Sequence, residues 1–160
     1  MSALTIRPAT IDDVEQIMQF VIDLAIYEKE PEAVVATPQH FRTALFGDNP
    51  QAHCLIAESN DKAIGFALYF FSFSTWLGQH GIYLEDLYVT PETRGIGAGK
   101  ALLKELSKIA VKKNLGRVEW SVLDWNEPAI KFYQAMGAEA KDGWSVYRLA
   151  DQALIDFAKA

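Results

Sequence analysis

The segment Val89–Lys100, VTPETRGIGAGK, places three glycines within five residues, between the apolar run GIYLEDLYV and the helical pattern ALLKEL. Glycine at such a junction permits left-handed backbone and close approach of a ligand to the main chain. The start of a helix adds unpartnered N–H groups and the positive end of the helix dipole. Together these features suit a phosphate group. Two familiar phosphate loops do not match. A Walker loop needs glycine where Arg94 stands and Ser or Thr where Ala101 follows Lys100. A dinucleotide fingerprint needs G-x-G-x-x-G in an opening βαβ unit with an acidic residue ending the next strand. Here the spacing is G-x-G-x-G after a fourth strand, and no such acid follows. The pattern that fits is Arg94-x-x-Gly97-x-Gly99 on a strand-to-helix turn.

Hydrophobic periodicity organises the rest of the 160 residues. LTIR reads as a strand ended by Pro8. Thr10 caps a helix from about Ile11 to Tyr27, whose Val14, Ile17, Met18, Val21, Ile22 and Ala25 recur at helical spacing. Thr37-Pro38 opens a second helix ending near Gly47. AHCLIAE and KAIGFALYFFSFS read as strands joined by the turn SNDK, and GIYLEDLYV as the fourth strand, before the glycine loop. A helix from Gly97 to about Lys113, a strand RVEWSVL, a helix EPAIKFYQAM closed by Gly137, a strand WSVYRL and a short amphipathic tail complete the order. Hairpin succession in the first half and strand–helix–strand units in the second predict a mixed, mostly antiparallel α/β sheet flanked by helices. One domain, 1–160, is expected from the length.

A net charge of −6 argues against a nucleic-acid partner and is compatible with a small cationic substrate. The single cysteine, Cys54, excludes an internal disulfide and sits in an apolar run as a buried thiol would. His40, His53 and His80 share no metal-ligand spacing, so no metal is expected. No leader segment or membrane span is expected either, which predicts a cytoplasmic protein.

LEDLYV-TPETRGIGAGKALL followed by DWNEPAIKFYQAMGA resembles the two hallmark segments of the GNAT superfamily of N-acetyltransferases. Further stretches, IRPAT, LAIYEKE, HCLIAE, GFALYFFSFSTWLG and IYLEDLYV, resemble its diamine acetyltransferase group. That group includes a polyamine branch and a thialysine-preferring branch. The resemblance implies a GNAT fold, acetyl-CoA as cosubstrate, a small cationic amine acceptor and a homodimer with shared acceptor sites. It implies cofactor contacts from Leu87, Tyr88 and Val89, from Arg94, Gly95, Ile96, Gly97, Ala98, Gly99 and Lys100, and from Asn126, Glu127, Pro128 and Ala129. A strand bulge at Leu87–Val89 is implied with them. Glu85 matches the carboxylate that deprotonates the amine, and Tyr133 the phenol that protonates the leaving thiolate. Acceptor contacts are implied for Tyr27, Glu28, Trp76, Glu85, Glu119, Trp120, Ser121 and Asp142. Strand alternation sends Glu85 and Asp86 to opposite faces. The polyamine branch carries Asp-Pro before the tryptophan where this chain has Ser74-Thr75-Trp76. The missing acid favours a lysine-analogue acceptor over spermine.

Overall fold

The computed structural model describes residues 3–160. Five strands, β1 Leu4–Pro8, β2 His53–Ser59, β3 Lys62–Ser74, β4 Gln79–Val89 and β5 Val118–Glu119, form one sheet in sequence order. The first four pair antiparallel and β5 joins β4 in parallel. Helices α1 Val14–Tyr27 and α2 Pro38–Phe46 fall between β1 and β2. Helix α3 Ala98–Lys112 connects β4 to β5, and α4 Glu127–Ala135 and α5 Asp151–Lys159 follow. The chain divides into two compact units, one ending at Ser121 and one spanning Val122–Ala160.

The first unit is layered as the periodicity predicts. Ile17 and Phe20 of α1 and Leu45 of α2 pack on Cys54, Ile56, Phe66, Leu68 and Tyr88. The Phe20 ring stacks on Phe66 at 5.5 Å. Side chains of a strand alternate, so the buried Leu55, Ala57 and Ala67 face the other side, where α3 packs with Leu102 and Leu106 fully buried. Burial raises the Cys54 thiol well above its ordinary range, leaving it protonated and structural.

Arg7 fastens the edge strand to the rest. Its guanidinium holds the Asp13 carboxylate in a two-pronged contact, 2.7 and 2.8 Å, and also contacts Glu58 of β2. Asp13 in turn accepts from the Thr10 backbone N–H at 2.7 Å, closing the turn that leads into α1.

Two expected strands differ. RVEWSVL supplies only Val118–Glu119, because its ladder with β4 ends at the Tyr83–Glu119 pair, just short of an irregularity in β4. WSVYRL forms no strand. Its Val146 and Tyr147 are 91% and 94% exposed, and β-branched or aromatic alternation specifies a strand only where one face is covered.

Hydrogen bonding to Arg7 holds the Asp13 carboxyl below its ordinary range. Arg7→Ala should therefore cost about 1–3 kcal/mol in urea unfolding at pH 7. The Asp13 contribution is present above the unfolded value of about 4 and is lost as pH falls through the lowered folded value. The stability gap between wild type and Asp13→Asn should accordingly close on acidification. A gap independent of pH would contradict the pairing.

Candidate active site

The glycine loop has the geometry its sequence requires. Gly95 and Gly97 adopt φ of +94° and +89°, and a Cβ built on either meets nothing within 4 Å. Glycine is needed there for backbone conformation, not for lack of space. Gly97 caps α3, and the first turn of that helix carries no acidic side chain. Ala101 N–H is bonded to Gly97 O at 2.9 Å, so the N–H groups before it have no partner within the helix. Ahead of the loop, a turn at Pro91–Thr93 is braced by a 2.7 Å hydroxyl contact between Thr90 and Thr93. An open concave backbone at the positive end of a 15-residue helix fits a pyrophosphate.

Upstream, β4 is irregular at the residue of greatest interest. Leu68 of β3 pairs with Asp86 while Tyr69 pairs with Leu84, which leaves Glu85 as the extra residue of a β-bulge. The bulge thus lies at Glu85, ahead of the Leu87–Val89 segment that the resemblance implied. Leu84 and Asp86, two residues apart, therefore stand opposite adjacent residues of β3 and face different sides of the sheet. Asp86 shares its face with Leu68, towards α1, where the charges of Glu85 and of Glu28 at the end of α1 reach it. Burial, then these two neighbouring carboxylates, push Asp86 up to about 6. Burial also raises Glu28. Glu85 itself is exposed. Asp86 was the less expected of the two acids; its signal was an acidic pair, Glu85-Asp86, set within an apolar strand.

Beside these acids, the end of α1 and the end of β4 enclose an open groove of about 440 Å³. Tyr27, Tyr88, Thr90 and Arg94 line it, together with Asp23 and Glu92. The Arg94 guanidinium lies 5.3 Å from the centre of the Tyr27 ring, and its Nε donates to Val89 O at 3.4 Å. Its side chain therefore turns into the groove while its backbone stays in the glycine loop.

The remaining expected residues lie on other elements. Ser121 Oγ lies 2.9 Å from the Tyr83 hydroxyl, Glu119 is paired with Arg117 at 3.1 Å, and Trp120 is half-buried. Trp76 is 85% exposed in the β3–β4 turn. Six residue steps along β4 separate Gln79, at the end of that turn, from Glu85, about 20 Å of strand. Ser74 is buried, and its hydroxyl accepts from Leu77 N–H at 3.2 Å, so it caps that turn. In the second unit Asn126 is buried at the N-cap of α4, with Glu127, Pro128 and Ala129 forming the first turn. Tyr133 is half-buried on α4, its ring 5.6 Å from Phe132, and Asp142 is exposed in a turn.

The family model described as the acetyltransferase (GNAT) family matches residues 17–138, from α1 to the end of α4. The chain belongs to the GNAT acetyltransferase family. It is similar to the thialysine N-epsilon-acetyltransferase of Bos taurus, with 36% identity over 99% of both chains. It is also similar to the human spermidine/spermine N(1)-acetyltransferase-like protein 1, with 35% identity over 99% of this chain and 24% of that protein. Among solved structures, an integron cassette protein from V. cholerae superposes with a TM-score of 0.81 at 28% identity, covering 98% of each chain. This GNAT protein is thus an acetyl-CoA-dependent N-acetyltransferase. Among the described residues no helix is long and apolar enough to cross a membrane, and no group of three or more His, Cys, Asp or Glu is placed to hold a metal.

A carboxylate raised to about 6 opposes folding when ionised. That penalty is full above the folded value and vanishes below the unfolded one, near 4. Asp86→Asn should therefore stabilise the protein by about 1–3 kcal/mol at pH 8, with the gain shrinking between pH 7 and 4. A pH-independent difference would contradict the burial of this charge.

Proposed function

We propose that the protein transfers the acetyl group of acetyl-CoA to the terminal primary amine of a small lysine-like acceptor, thialysine being the model compound. The observation that carries this reading is the convergence of Glu28, Glu85 and Asp86 at the β4 bulge, upstream of a loop shaped for pyrophosphate. Three acids in one place suit a cation, and a pair with unlike environments suits proton transfer.

When bound, acetyl-CoA supplies an activated thioester whose thiolate is the leaving group. The chain's own residues do the rest. Backbone groups from Gly95 to Lys100 hold the pyrophosphate, those of Leu87, Tyr88 and Val89 align the pantetheine arm, and Asn126–Ala129 provide a further contact. An alkylammonium near pKa 10 is neutral in only about one molecule in a thousand at pH 7. Glu85, directly or through water, accepts that proton, while ionised Asp86 and Glu28 hold the cation until it is lost. The neutral amine forms the new C–N bond as the C–S bond breaks, and the second proton on that nitrogen passes to solvent. Tyr133 gives its phenolic proton to the departing thiolate and recovers one from solvent. The chemistry needs no acyl-enzyme, and the buried protonated Cys54 is unsuited to forming one.

Ser74, occupied in capping a turn, supplies no charge where a polyamine site would use an acid. The separation of Trp76 from Glu85 supports a homodimer in which each Trp76 serves the partner's acceptor site. The net charge of −6 is consistent with a cytoplasmic enzyme acting on a small cationic amine.

Thiol release from acetyl-CoA against thialysine, lysine, spermidine, spermine and putrescine tests the reading. A preference for thialysine is expected; a preference for spermine would assign the protein to polyamines, and silence with intact cofactor binding would make it a sensor. In the active assay Tyr133→Phe should lower kcat about 100-fold with the acetyl-CoA Kd unchanged. Turnover should rise with pH through about 6, where Asp86 ionises, and that limb should disappear in Asp86→Asn.

A further inference from the structure

Charge is divided between the two faces of the sheet. From Lys100 to Arg117, α3 and its exit carry six cations and one acid, while the rest of the chain carries nine cations and 20 acids. Across the sheet, the stretch Asp12–Glu32 that contains α1 carries seven acids and one lysine. Lys100, Lys104, Lys108 and Lys112 recur at every fourth residue of α3 and are all exposed. Leu102, Leu103, Leu106 and Ala110 are buried on the side that meets the sheet. The four lysines thus form one outward ridge about 18 Å long.

This ridge is a poor choice for the helix itself. A cation near a helix N-terminus opposes the dipole, and like charges at i,i+4 repel. Lys100 stands in a first turn that holds no acid, and each step from Lys100 to Lys112 is a like pair. Of the four, only Lys108 has an ion partner among the described residues, Glu105 at 3.3 Å. The complement of such a ridge is an anion outside the fold. It begins at the glycine loop, whose left-handed backbone precedes the same helix. CoA carries about four negative charges at pH 7, on its pyrophosphate and 3′-phosphate. A chain of net charge −6 repels such a molecule unless its surface charge is locally inverted.

We infer that Lys104, Lys108 and Lys112 steer the anionic cosubstrate along the outer side of α3 towards the glycine loop. The inference rests on acetyl-CoA as cosubstrate and is independent of the choice of acceptor. Neighbouring lysines of the ridge are about 6 Å apart along the helix axis, less than the screening length of about 8 Å at physiological salt. An anion leaving the reach of one lysine is therefore already within reach of the next. These three lysines act on the approach, whereas Lys100 and the loop act on the bound molecule. Steering of this kind raises association rates by about 10- to 1,000-fold.

Stopped-flow mixing of the intact protein with a fluorescent etheno analogue of CoA, all phosphates intact, reads association and dissociation rates separately. Wild type should associate more slowly as NaCl rises from about 20 to 500 mM, the reverse of what its net charge alone dictates. Lys104→Gln, Lys108→Gln and Lys112→Gln combined should lower the association rate about tenfold at low salt and flatten its salt dependence. The dissociation rate should stay within about twofold, because contacts with the bound molecule are untouched. Glutamine preserves helix propensity at these exposed positions, and circular dichroism checks the fold. Lys62→Gln, Arg148→Gln and Lys159→Gln combined remove the same charge from other exposed positions. That variant should change the association rate by less than about twofold. An equal loss in both triple variants would reduce the effect to net charge and overturn the inference. Faster dissociation with unchanged association would overturn it too, making the lysines contacts of the bound molecule. If wild type fails to bind the analogue at any salt, the acetyl-CoA reading itself falls, and this inference with it.

Discussion

The pairing of β3 with β4 sets the positions of Glu85 and Asp86 and the point at which the chain enters the glycine loop. Ten residue pairs tie the two strands, and the single register shift among them leaves Glu85 unmatched. Upstream of the shift, Ile82 and Leu84 are buried; downstream, Asp86 and Tyr88 turn towards α1. Past Val89 the same strand runs into the turn at Pro91, then into the left-handed glycines and the start of α3. One interior strand thus carries the carboxylates at one point and leads into the glycine loop and the start of α3 at another. A bulge is how a strand presents two consecutive polar groups without exposing its core.

This arrangement works against stability. A half-buried Asp86 with two acids nearby is an unfavourable choice for folding, and two left-handed glycines add chain entropy to the unfolded state. Compensation lies elsewhere, in the stacked Phe20–Phe66 layer, the buried face of α3 and the Arg7–Asp13–Glu58 contact at the opposite edge. Strain and unpaired charge at one place, supported by ordinary packing around it, is the distribution expected of an enzyme site.

How far the sequence revealed this depended on the range of the interaction. The glycine loop was legible because left-handed backbone and helix capping are decided by neighbours in the chain. Helices α1 and α3 and strands β2 to β4 were legible because their apolar residues recur at fixed periods. The position of the bulge was not, since register between strands depends on residues far apart; the resemblance implied it at Leu87–Val89 and the pairing puts it at Glu85. WSVYRL read as a strand because its residues favour one, yet such preference acts only through a covered face, and Val146 and Tyr147 lack that cover. The direction of the Arg94 side chain was equally hidden, because Tyr27, over which it lies, is 67 positions away.

The central claim is that the loop from Arg94 to Lys100 and the start of α3 bind the pyrophosphate of the cosubstrate. Calorimetric titration of the intact protein with CoA and with pantetheine, which lacks the pyrophosphate and nucleotide, tests it most directly. The account predicts saturable binding of CoA and at least about 100-fold weaker binding of pantetheine, since several charge-assisted hydrogen bonds are lost together. Equal affinity for the two would mean that the arm alone is recognised, and that the glycine loop serves only to turn the chain.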